Sequence, residues 1–172
     1  MPPLLEARHI RKVFSSGGGL FTGEKETVAV DDFTLTIDAD KPSFTTIAGE
    51  SGSGKTTIAR MLLGVIPPSE GQVLYAGRSL DELEKGEMRS FRQDVQAIFQ
   101  DPFEVYNPFY KVDHILTTPI EKFGLASSKS DAREQIDAAL RTVGLRPEET
   151  LGRYPHQLSG GQRQRITIAR AL

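Results

Sequence analysis

The chain has 172 residues, 38% of them hydrophobic and 26% charged, enough for one domain with a real core or one compact domain carrying a small subdomain, and crowded for two full domains. Its 21 basic and 23 acidic side chains leave a net charge of −2, so no overall field attracts nucleic acid and no nucleic-acid partner is expected. The lack of cysteine removes disulfides and thiolate metal sites, as a reducing compartment permits. The first residues, Met1-Pro2-Pro3-Leu4-Leu5, have neither a basic nor an apolar leader pattern, and no window approaches the ~20 apolar residues of a spanning helix. The expectation is a chain that is neither secreted nor membrane-embedded.

Strand-like alternation opens the chain over residues 4–14 and resumes over 26–38, where Val28, Val30, Phe33, Leu35 and Ile37 hold the apolar positions. Ser15-Ser16-Gly17-Gly18-Gly19 between them reads as a flexible hairpin connection within one sheet. A third apolar run, residues 44–48, predicts a strand leading into a glycine-rich segment, and residues 56–63 predict a helix stopped by Gly64. Pro67-Pro68 breaks the chain, and residues 71–80, with Gly77 as the turn residue, predict a short antiparallel piece. Residues 94–100 predict a further strand ended by Asp101-Pro102. Beyond it the spacing becomes helical over 115–123 and 130–143, the latter with Ile136, Ala139, Leu140 and Val143 on one face. Asp131 and Glu134 have the spacing of a capping box, and Gly144 closes that helix.

The glycine-rich segment is Gly49-Glu50-Ser51-Gly52-Ser53-Gly54-Lys55-Thr56-Thr57. Backbone N–H groups meet a dense negative charge only where side chains do not block the approach, and glycine gives that access. In this pattern Gly49, Ser51, Gly52, Ser53, Gly54 and Thr57 would line a triphosphate, Lys55 would reach the β- and γ-phosphates as a catalytic cation, and Thr56 would ligate Mg²⁺. The following helix adds the positive end of its dipole. The four specified positions coincide by chance in a chain of this size on the order of once in a hundred, and strand and helix on either side lower that further. ATP and Mg²⁺ are the expected cofactors.

A second segment, Leu158-Ser159-Gly160-Gly161-Gln162, runs into Arg163-Gln164-Arg165-Ile166-Thr167-Ile168-Ala169-Arg170-Ala171-Leu172. Ser159 fits an N-cap, with Gly160 and Gly161 opening the backbone beside it. Alone this is a turn and a cap; paired with the loop, it makes the chain resemble the ATP-binding subunit of an ABC transporter, and this stretch its signature motif. The resemblance implies two ATPase subunits sandwiching two ATP molecules head to tail. Ser159, Gly160, Gly161 and Gln162 would then serve the partner's nucleotide rather than the one held at Lys55. Gln100 matches the glutamine that reaches Mg²⁺ and the attacking water and senses the membrane subunits. Phe14 matches the aromatic that stacks on adenine, although it also fits a plain strand-end core position.

The stretch ending in Thr27-Val28-Ala29-Val30-Asp31, the segment from Phe99-Gln100-Asp101-Pro102 to Asn107-Pro108, and Tyr154-Pro155-His156-Gln157-Leu158 are similar to the oligopeptide, dipeptide and nickel importer branch. One departure is Glu104-Val105-Tyr106, where that branch usually has small residues and a leucine. The implied fold is α/β, a P-loop NTPase core of the ABC type with an antiparallel β-subdomain and a helical subdomain. Residues 1–100 would form the core with its β-subdomain, 101–165 the helical part with the signature, and 166–172 the start of the return to the core.

In the family the signature helix leads to an apolar strand ending in an aspartate and a catalytic glutamate, then to a switch histidine. None of these follows in the 172 residues, so the C-terminal part of the core is expected to be missing, and His156 belongs to the lead-in of the signature instead. The implied function is the ATP-binding subunit of an importer, of peptides, that couples ATP binding and hydrolysis to transport. It would sit at the cytoplasmic face of the membrane with a second ATPase subunit and membrane-spanning permease subunits. This stretch alone would bind ATP without efficient hydrolysis, and would self-associate or be marginally stable. The alternatives are a soluble ABC-type ATPase of DNA repair or translation, and a non-hydrolysing nucleotide-binding module.

Overall fold

Two long strands, β1 (Leu5–Ser16) and β2 (Lys25–Ile37), pair antiparallel, as the alternating patterns predict. The computed structural model describes residues 2–16, 25–99 and 106–172, which form two compact units, Met1–Val95 and Gln96–Leu172. The glycine-rich connection at residues 17–24 lies outside the described residues.

In the first unit β1 is flanked by β2 on one side and β3 (Glu70–Tyr75) on the other, with the two-residue β4 (Arg78–Ser79) beyond β3. All these ladders are antiparallel. A register shift between Ala7 and Ile10, with His9 at φ 49, interrupts β1. The extra residue turns His9 out to solvent and lets Leu5, Ala7 and Ile10 all face the core despite their uneven spacing. Helix α1 (Lys55–Leu62) presents Ile58 and Met61, three apart, to that core, and Gly64 at φ 63 ends it as expected. Ala76 and Gly77, both at positive φ, make the tight β3–β4 turn.

Three expectations are corrected in this unit. Residues 44–48 form no ladder with any described strand, and Phe44 is fully exposed; an apolar run becomes a strand only where a partner supplies the ladder. The strand expected over residues 94–100 does not form among its described residues: Asp94 ends an unexpected helix, α2 (Lys85–Asp94), whose Glu84 and Glu87 form a capping box and whose Phe91 is buried edge-on against Tyr75. Residues 96–99 are likewise unladdered. Val28, expected on the core face with Val30, is half exposed while Val30 is buried.

The second unit is helical. Helices α3 (Asp113–Phe123), α4 (Lys129–Thr142), the single turn α5 (Pro147–Thr150) and α6 (Gly160–Ala171) pack around Val112, Leu116, Ile136, Leu140, Leu145, Leu158, Ile166 and Ala169. The cap of α4 is Ser128, whose side chain accepts from the Asp131 N–H. The expected box at Asp131 and Glu134 is therefore displaced by three residues. Asp131 instead accepts from the Ser127 N–H and hydroxyl at 2.7 and 2.8 Å. These bonds, with one from Gln135, hold its ionisation below the usual carboxylate range. Gly144 at φ 72 terminates α4 as expected.

Candidate functional site

The loop before α1 is shaped by backbone conformations that only glycine adopts at low cost. Gly52 and Gly54 sit at φ 83 and φ 90, and Gly54 is the N-cap of α1. A Cβ on Gly54 would drive into the Ala29 carbonyl oxygen and approach the Val30 side chain, so the loop lies directly against β2. Ser53 donates its N–H to the Glu50 carbonyl at 3.2 Å, closing a turn over Ser51 and Gly52. The Lys55 ammonium is drawn back into this turn, donating to the Gly49 and Glu50 carbonyls at 2.7 and 2.5 Å and to Ser53 Oγ at 3.3 Å. Thr56 is exposed and Thr57 half-buried.

No side chain caps α1, and its first turn contains no acid. The first ladder bond runs from Ile58 N–H to the Gly54 carbonyl, so the donors ahead of it point out of the helix end. A cation held at a helix N-terminus that no side chain caps, in a turn built from Gly52 and Gly54 with the hydroxyls of Ser51, Ser53 and Thr56 around it, is a cradle for a multiply charged anion. The Thr56 hydroxyl, exposed at the same turn, fits a hard cation that prefers oxygen ligands.

Phe14, near the end of β1 opposite Thr27, is 45% exposed, and the Lys12 ammonium lies 5.5 Å from its ring centroid. The ring is a surface platform and not a core residue, which is the arrangement stacking on a base requires. Gln100, the expected catalytic and Mg²⁺-contacting glutamine, lies outside the described residues.

In the helical unit Ser159 caps α6. Its Oγ accepts from the Gln162 N–H at 3.2 Å, and Gln162 Oε1 accepts from the Ser159 N–H at 2.9 Å. This reciprocal pair leaves Ser159, Gly160 and Gly161 exposed while Leu158 is buried behind them. Neither glycine has a positive φ, and a Cβ on either would meet nothing within 4 Å. Among the described residues, neither packing nor backbone requires glycine there. His156 stands exposed beside this turn, stacked on Tyr154 with ring centroids 5.8 Å apart.

Two participants were not legible in the sequence. The Ala29 carbonyl limits the loop at Gly54 through a backbone atom, and backbone atoms carry no residue signal. Tyr106 reaches the signature helix and was visible only as a departure from the branch pattern.

A phosphate-type loop on a helix N-terminus beside an antiparallel sheet, with a capped double-glycine turn in a helical unit, defines a P-loop nucleotide-binding protein of the ABC type. The chain belongs to the ABC transporter family, whose family model matches residues 30–172. It is 38% identical over 172 residues to the di/tripeptide transport ATP-binding protein DppF of Pseudomonas aeruginosa, covering all of this chain and 52% of that protein. It is 39% identical over 171 residues to the oligopeptide transport ATP-binding protein AppF of Bacillus subtilis, covering 98% of this chain and 51% of that protein. The chain thus spans about half the length of these curated relatives. Among solved structures it is similar to a dimeric post-hydrolysis state of the ATP-binding cassette MJ0796 bound to ADP and Pi. That likeness has a TM-score of 0.78 and 28% identity, over 98% of this chain and 68% of that one. Among the described residues no helix is long and apolar enough to cross a membrane.

Proposed function

We propose that the chain is the nucleotide-binding part of an ATP-binding subunit of an ABC importer for peptides. The observation that carries the reading is the Lys55 ammonium held inside the glycine turn at the uncapped start of α1. Relatives named for di/tripeptide and oligopeptide transport support the substrate class, and favour an importer over a soluble ATPase of DNA repair or translation.

In this reading the parent protein is an ATP hydrolase. Gly49, Ser51, Gly52, Ser53, Gly54 and Thr57 line the phosphates of ATP, and Lys55 exchanges its carbonyl partners for phosphate oxygens. Both sets of bonds have a charged donor, but the phosphate oxygens are charged acceptors as well, and the attraction between opposite charges favours the exchange. Thr56 offers its hydroxyl to Mg²⁺, which supplies charge neutralisation on the phosphates when bound. Phe14 stacks on the adenine, and Gln100 approaches the metal and the attacking water. Ser159, Gly160, Gly161 and Gln162 face a nucleotide held by a second ATPase subunit. Permease subunits hold the assembly at the cytoplasmic face of the membrane.

Calorimetric titration of the 172-residue chain with Mg-ATP tests the binding part of this reading. The native chain is expected to bind and Lys55→Ala to lose roughly a hundredfold in affinity, the scale of removing a charged hydrogen-bond partner. Equal affinity in the two chains would overturn the assignment of the loop.

A further inference from the structure

We propose that Tyr106 is a positioning residue for the signature turn, tethering the first turn of α6 through a hydrogen bond that a leucine at this place does not make. The inference rests on reading Ser159, Gly160 and Gly161 as an anion-facing turn.

Tyr106 packs half-buried against the apolar cluster of the helical unit, and its hydroxyl donates to the Arg163 carbonyl at 2.8 Å. Arg163 is the residue from which the turn hangs. Its N–H donates to the Ser159 carbonyl at 3.0 Å, and its guanidinium donates to the Pro155 carbonyl at 3.4 Å. One phenol therefore restrains, through one residue, both the cap at Ser159 and the lead-in turn Pro155–Gln157.

The contact does not stand alone. The Val112 N–H donates to the Arg153 carbonyl at 2.9 Å and the Gly152 N–H donates to Asp113 Oδ2 at 2.7 Å, so residues 106–113 and 152–163 are fastened at several points. Of these fastenings Tyr106 is the one that reaches the first turn of the helix carrying the double glycine; further along that helix Arg165 and Arg170 donate to the Gly144 and Ala97 carbonyls at 3.1 and 2.9 Å.

A carbonyl has two acceptor sites, so the phenol adds a bond to Arg163 without displacing the helical ladder. The first turn of a helix is where the backbone is least held. Here Gly160 and Gly161 bring no packing of their own and glycine weakens a helix further, so a tether one residue beyond the capping pair acts where rigidity is scarcest. Burial pushes the phenol's ionisation well above the ordinary tyrosine range, against the opposing pull of Arg163 and Arg170, so the hydroxyl remains a donor at neutral pH. A leucine in this place would fill the same apolar space and donate nothing.

The test is amide NMR of the native chain, Tyr106→Phe and Tyr106→Leu. Tyr106→Phe keeps the ring and removes only the hydroxyl. The proposal predicts shifted Gly160 and Gly161 amide resonances in both variants. It also predicts about fivefold faster hydrogen exchange confined to residues 160–166, the scale of one lost hydrogen bond, with α1 and α4 unchanged. Unchanged glycine resonances and exchange in Tyr106→Phe would overturn it. So would faster exchange spread evenly over α3, α4 and α6, because the phenol would then be core filling and not a tether. Mg-ATP affinity measured on the same samples separates the two readings: failure of the native chain to bind would sink the loop assignment while leaving the NMR result to stand or fall alone.

Discussion

In the loop at residues 49–56, Gly52 and Gly54 are imposed by this chain's own backbone, whereas at residues 159–162 the glycines are not. Gly54 needs φ 90 and has the Ala29 carbonyl where a side chain would go; Gly160 and Gly161 have ordinary helical backbone and open space around them. The helix ends differ in the same sense. The start of α1 has no side-chain cap and carries a lysine folded into it, while the start of α6 is closed by a reciprocal Ser159–Gln162 pair. The first turn is complete as an anion cradle within one chain. The second is a capped helix start whose outer side is exposed, as the proposed contact with a second subunit's nucleotide requires.

Substitutions sharpen the contrast, beginning with the largest effect. Gly54→Ala forces a Cβ into a left-handed backbone and a carbonyl oxygen, at a cost of at least about 2 kcal/mol. A drop in thermal midpoint of roughly 4–8 °C is expected, and a native midpoint would break the comparison at its first half. Ser159→Ala removes the cap of α6 and costs about 1 kcal/mol, read as a midpoint lowered by roughly 2–4 °C. Gly160→Ala and Gly161→Ala go the other way: with no clash and better helix propensity, each leaves stability unchanged or raises it by up to about 1 kcal/mol. Destabilisation by either in a denaturant melt would break the second half.

The smallest expected effect concerns pH. Bonds from Ser127 and Gln135 lower the Asp131 ionisation from its ordinary value of 3.8. A lowered folded-state value means that its contribution is present above that ordinary value and is lost as pH falls through the lower, folded one. Asp131→Asn should therefore be less stable than the native chain at pH 7 and equal to it in strong acid, as paired urea melts would show. A difference that persists unchanged in strong acid would refute the role of the ionised carboxylate.

What was legible in the sequence follows from how local each determinant is. The phosphate loop is specified by contiguous residues, so Gly52, Gly54, Lys55 and Thr56 were read in place. The signature turn is also local, yet serine and two glycines before a helix are commonplace, and only the presence of the loop gave Ser159 its meaning. The apolar runs at 44–48 and 94–100 were less readable, because a short apolar run does not reveal whether a partner strand lies beside it. Helix α2 was hidden in a charged stretch, although Met88, Phe91 and Val95, all packed on the first unit's core, have the i, i+3, i+7 spacing of a helix face. The cap of α4 was misplaced because Asp131 resembles a cap, when Ser128 three residues earlier is the one that binds its N–H. The tether from Tyr106 to the Arg163 carbonyl joins residues 57 apart, beyond anything that spacing along a chain reveals.

The most direct test of the contrast is Mg-ATP calorimetry on the native chain, Gly54→Ala and Gly161→Ala. The account predicts that Gly54→Ala loses most of the affinity and that Gly161→Ala binds within about twofold of native, because the second turn does not serve the nucleotide held by its own chain. Loss of binding in Gly161→Ala, in a protein that melts as the native one does, would contradict it.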